Sequence, residues 1–148
     1  MTAPQESLTD TDPSVLVGLR AKHIDIMLAV REAKSETVIP FSLEGIVSAR
    51  NVLSSLDLPV HYAVVTPDVY SRFIGSRWFI QVIEPVTKHE MLMIGKLGSM
   101  LGMDVLSPMF FHPIDRIFDF DTKGVFAVVS VTQNRGVRVY RTRFADDD

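Results

Sequence analysis

The chain contains no cysteine. That absence excludes disulfides, thiolate zinc sites and cysteine nucleophiles together. It also lacks an excess of basic charge. Fifteen Lys and Arg stand against eighteen Asp and Glu, for a net charge of −3. The basic balance of a nucleic-acid-binding domain is missing, so no sequence-specific nucleic acid is expected as a partner. No apolar run reaches the roughly 18 residues that cross a bilayer. The opening Met-Thr-Ala-Pro-Gln-Glu-Ser has neither the basic start nor the apolar run of a secretory signal. The expectation is a soluble protein with no membrane partner.

What is present is one domain's worth of apolar residues. The 148 residues are 47% hydrophobic and 22% charged, with a mean hydropathy of +0.19. Composition of this kind excludes a largely disordered chain. The apolar lean fits either a well-filled core or a surface completed against another chain. Residues 1–13 are polar, with two prolines and three acids, and are read as an N-terminal arm. Residues 14–148 are read as a single α+β domain.

The pattern predicts a helix from Ser14 to about Lys34, with Val15, Leu19, Ile26 and Val30 near one face. Val17, Ile24, Met27 and Leu28 widen its apolar arc, so burial on more than one side is expected. A second helix runs from a Ser42 cap to about Leu56, with Glu44 at its positive end. Val60–Thr66 reads as a strand buried on both faces. Thr66-Pro67-Asp68 opens a third helix, with Thr as cap and Pro in the first turn, and Tyr70, Phe73 and Ile74 facing inward. Residues 78–84 read as a strand or apolar loop. Met103–Leu106 is a short strand after a glycine-rich turn. Gly124–Thr132 and Val137–Phe144 form a hairpin across Gln133-Asn134-Arg135-Gly136. Together these give helices flanking a small mixed or antiparallel sheet.

Candidate chemistry is thin. The run Gly95-Lys-Leu-Gly-Ser-Met-Leu-Gly102 lacks the Lys-Ser/Thr of a phosphate loop and the spacing of a dinucleotide fingerprint. It reads instead as a turn that lets two backbones approach closely. His23, His61, His89 and His112 show no helical metal-ligand spacing. No Gly-x-Ser-x-Gly elbow occurs. Asp115, Asp119 and Asp121 alternate along an expected strand but lack a calcium-hand pattern. No catalytic, cofactor-binding or metal-ligating residue is therefore assigned, no cofactor is expected, and an enzyme is not. Five methionines between Met91 and Met109 suit an irregular core or an interface. Arg135, Arg138, Arg141 and Arg143 form the one basic cluster, which suits a charged sheet edge facing a partner's acidic patch.

An ordered series of motifs over about residues 42–145 resembles the major capsid proteins of tailed bacteriophages and the related encapsulin shells. Ala49-Arg50-Asn51-Val52-Leu53 lies on a helix, and Leu56-Asp57-Leu58-Pro59-Val60 follows. Tyr62–Thr66 then leads into Pro67-Asp68-Val69-Tyr70. Next come Gly95-x-x-Gly98-x-x-x-Gly102-x-x-Val105 and a closing hairpin, Val125–Val131 with Val137–Phe144. The chain is shorter than that family, whose members add an extended β loop and a long spine helix. The resemblance implies the axial and peripheral parts of a coat subunit. It also implies a structural virion protein, made in a host cytoplasm, that self-assembles or docks on related coat subunits. On that reading the expected contact residues are Trp78, Phe79, Phe110, Phe111, Arg138, Tyr140 and Arg143. The rival expectation is a small ligand-binding or regulatory module using the Gly95–Gly102 turn or the Asp115–Asp121 strand.

Overall fold

The computed structural model of the chain describes residues 13–34, 36–108, 118 and 122–146. Among these residues five helices and seven strands follow in the order α1 (Pro13–Glu32), β1 (Thr37–Ile39), α2 (Leu43–Ser54), β2 (Tyr62–Val65), α3 (Pro67–Ile74), α4 (Arg77–Val82), β3 (Glu84–Pro85), α5 (Lys88–Ile94), β4 (Lys96–Met100), β5 (Met103–Leu106), β6 (Val125–Thr132) and β7 (Gly136–Phe144). The strands make one mixed sheet in the order β1-β7-β6-β2-β5-β4-β3. β2 runs parallel to β5 and antiparallel to β6, while β1 runs parallel to β7. The class is α+β, as the sequence predicts. The sheet is larger than expected because β1, β3 and β4 join it.

β2 explains the layering. Its successive side chains alternate between the two faces, and all four residues are buried. Ala63 and Val65 face one core with Ile46, Ala49 and Leu53 of α2, Val69 and Phe73 of α3, and Phe79 of α4. Tyr62 and Val64 face a second core with Ile26, Met27 and Val30 of α1. The Ala63-Val64-Val65 run is therefore apolar on both sides for the reason its composition implies.

Several local expectations are corrected. Residues 77–82 form α4 rather than a strand, because a helical turn lays the Phe79 ring on Phe73, 3.9 Å between centroids and nearly parallel. Ile74 points outward at 52% exposure, and Val69 takes the inward place on α3. Thr66 occupies the N-cap position of α3 but caps no helix amide. Its hydroxyl donates to Asp68 Oδ1 at 2.6 Å and accepts from the Val125 amide at 3.2 Å. Asp68 Oδ2 in turn accepts from the Gly124 amide at 2.9 Å. Thr66-Pro67-Asp68 thus ties the start of α3 to the start of β6. Burial along α1 is uneven: Val15 and Val17 near its start are 49% and 68% exposed, whereas Met27 and Val30 near its end are fully buried.

The glycine-rich run is a strand and a turn rather than a single turn. α5, held by a Thr87–Glu90 capping box, ends at Gly95 with φ 69°. β4 follows, and Leu101-Gly102 closes a two-residue hairpin, both with positive φ (53° and 80°). A Cβ on Gly98 would stand 2.6 Å from Glu84 O and 2.8 Å from the Ile83 side chain. The close backbone approach expected of this run is the one that lets β3 join β4.

Candidate contact surface

The contact residues expected from the sequence separate into inside and outside. Phe79, at 3% exposure, is a core residue and presents nothing to a partner. Trp78 is half-buried, edge-on to Phe41 at 5.3 Å and to Phe79 at 6.0 Å. Phe41 also packs edge-on to Phe144 at 5.0 Å. The Arg72 guanidinium lies 4.1 Å over the Phe41 ring and donates to Ala145 O at 3.2 Å. This cluster clamps α3 and α4 to the last residues of β7. Tyr140 is half-buried against the same core. Phe110 and Phe111 lie outside the described residues, as do Asp115, Asp119 and Asp121.

The arginines divide in the same way. Glu36 accepts from Arg141 Nε at 3.1 Å and lies 3.5 Å from Arg143 Nε. Arg141 also donates to Val30 O at 3.0 Å. Arg141 and Arg143 therefore tie the segment after α1 onto β7 and are engaged within the chain. Arg135 donates to Leu56 O at 2.9 Å, fixing the hairpin tip against the end of α2. Arg138 is exposed and has no ion-pair partner among the described residues. The alternation of β7 locates this split, but Glu36 gives no signal in the sequence, since it sits in an irregular loop.

Apolar side chains remain outside this frame. Ile74 and Ile80 are 52% and 57% exposed on the adjoining helices α3 and α4. Leu101, 38% exposed, caps the β4–β5 hairpin in a left-handed conformation that costs a branched residue about 1–2 kcal/mol. An open groove of about 440 Å³ runs along α2 between Leu43, Glu44, Val47, Ser48 and Asn51.

One polar notch stands apart, at the end of the sheet where β2 and β5 begin. It encloses about 290 Å³ between Lys22, His61, Tyr62, Gly102, Asp104 and Val131. Lys22 Nζ is 5.8 Å from the Tyr62 ring centre. His61 Nδ1 accepts from the Val131 amide at 3.3 Å. Asp104 is engaged by Lys96 at 3.4 Å and Ser99 at 3.2 Å. Behind the notch His23 is buried and donates from Nδ1 to Ile94 O at 2.8 Å. Burial holds its pKa below the usual histidine value, so the ring is neutral. Among the described residues no group of three or more His, Asp or Glu could hold a metal ion. Among the described residues no helix is long and apolar enough to cross a membrane.

Comparison of the chain with protein-family models, curated proteins and solved structures returns no match.

Proposed function

We propose that the chain is a structural virion subunit of the tailed-phage coat type, acting by association with copies of itself or with related coat subunits. One observation carries this reading. The five segments whose order resembles a coat subunit meet in a single core. Ala49 and Leu53 come from the first, Leu58 and Val60 from the second, Ala63, Val65 and Val69 from the third, Leu97, Met103 and Val105 from the fourth, and Phe126, Val128 and Phe144 from the closing hairpin. That the motifs share one packed core supports this reading. Exposed Ile74, Ile80 and Leu101 then supply apolar surface whose burial against a neighbour contributes about 25 cal/mol per Å². Light scattering during size-exclusion chromatography tests the proposal. Mass above the 16.6 kDa of one chain, rising with concentration, supports it. A single chain at every concentration, with no affinity for coat particles, rejects it.

The polar notch favours a second reading, a small ligand-binding module, because Gly102 of the glycine run lines it beside Lys22 and His61. A thermal-shift screen with nucleotides and small anions separates the two. Saturable stabilisation by one compound, lost in Lys22→Ala, favours the module.

A further inference from the structure

The polar notch has the lining of a ligand site. Asp104 pairs with Tyr62 across the parallel strands β2 and β5, and Ser99 pairs with Asp104 across β4 and β5. Side chains alternate along a strand, so Asp104 shares the face of Leu106, which packs with Tyr62 in the α1 core. Lys22 stands one turn before Ile26 of that core, on the same side of α1. Its ammonium lies 5.8 Å from the Tyr62 ring centre. Each of these polar groups keeps capacity to bind. Lys22 has no ion-pair partner among the described residues. Lys96 and Ser99 both engage Asp104 through Oδ1, at 3.4 and 3.2 Å, so Oδ2 remains an acceptor. His61 is held through Nδ1 by the Val131 amide, which leaves its Nε2. His23 behind them is buried and neutral and adds no charge.

Size and charge select the ligand. Small-molecule sites run from about 300 to 1,000 Å³, so a notch of about 290 Å³ stands at the lower end. At about 30 Å³ each it holds about ten waters, which suits an amino acid and not a dinucleotide. A carboxylate accepts hydrogen bonds and donates none. An anion on Lys22 would therefore take water from Asp104 Oδ2 and return no donor, and a buried group without its partner is costly. A cation on Asp104 would leave Lys22 in the same position. A ligand carrying both charges meets both groups, with a charge-assisted bond at each end. The Tyr62 ring and Val131 offer an apolar wall to a small side chain, and Gly102 bounds the notch without a side chain of its own.

We propose that the notch binds a small apolar α-amino acid, its carboxylate on Lys22 and its ammonium on Asp104. This rests on the module reading of the notch and is independent of assembly. NMR titration of the full chain tests it, with L-alanine, L-valine and L-leucine, the amide and the 2-hydroxy acid of each, and inorganic phosphate. At least one amino acid shifts the Lys22, Gly102 and Asp104 amides saturably. Its amide, which lacks the carboxylate, and its hydroxy acid, which lacks the ammonium, each bind at least about tenfold more weakly. Lys22→Met narrows the gap between amino acid and amide, and Asp104→Asn narrows the gap between amino acid and hydroxy acid, each in a chain of unchanged circular dichroism. The wild-type comparison decides the matter even if Asp104→Asn does not fold. Gaps that neither folded variant narrows overturn the assignment of the two ends. Phosphate, an amide or a hydroxy acid binding as tightly as the amino acid overturns the two-charge ligand and leaves the module reading in place. Amides that none of these compounds moves reject the proposal, while saturable stabilisation by a different compound would still keep the module reading.

Discussion

The two faces of the sheet are held by different means. On the α2–α4 face, Phe41, Phe73, Trp78, Phe79, Phe126 and Phe144 interlock, and Ile46, Val69 and Phe73 are fully buried. Shape and dispersion fix the geometry there. On the other face, among the described residues, α1 supplies Ile26, Met27 and Val30, and Phe118 joins them. The position of α1 is set by directed polar bonds as well, from His23 to Ile94 O and from Arg141 to Val30 O. A face that needs hydrogen bonds to position one helix responds to pH and to single polar substitutions. A face of nested rings responds chiefly to lost volume.

The largest expected effect breaks the stronger face. Phe73→Ala removes a ring stacked on Phe79 and costs about 3–5 kcal/mol in chemical denaturation, enough to unfold a marginal domain. Met27→Ala on the α1 face costs about 2–3 kcal/mol; a cost equal to that of Phe73→Ala would erase the contrast. Asp68→Ala leaves the Thr66 hydroxyl and the Gly124 amide without their acceptor and costs about 1–3 kcal/mol, read as a lower denaturation midpoint. The pH response isolates His23. Its folded pKa lies below the unfolded value of 6.5, so the unfolded chain binds the extra proton. The contribution of His23 is complete above pH 6.5 and is lost as pH falls below that toward the lowered folded pKa. Denaturation midpoints at pH 7.5 and pH 5 should differ more for the wild type than for His23→Gln, and equal differences would deny His23 this role. The smallest effect is a gain. Leu101→Asn relieves a left-handed leucine in an Asn-Gly type turn, raising stability by about 0.5–1 kcal/mol while removing exposed apolar surface.

Much of this contrast was legible in the sequence, and its limits have physical causes. α1, α2, β2, β5 and the β6–β7 hairpin follow from period and turn chemistry, because each buries its own side-chain pattern. α4 escaped because Trp78-Phe79-Ile80 is apolar without a period, and only contact with Phe73 chooses helix over strand. α5 was readable: Thr87-Lys-His-Glu90 is a capping box before an apolar run. β1 and β3 have three and two residues and form only because longer strands offer an edge. Of the contact residues, Arg138 stands exposed, Phe79 turns inward and Arg143 pairs with Glu36 at the surface, since exposure and pairing depend on neighbours that sequence does not order. Asp68 sits at the start of α3, and its bond to Gly124, 56 residues away, has no local signal.

Electron microscopy of the concentrated full chain tests the central claim most directly. The account predicts discrete particles of uniform size, shells or rings, that fall apart when Arg138 is reversed in charge. Fields without particles, from a solution whose mass stays at one chain, would contradict it.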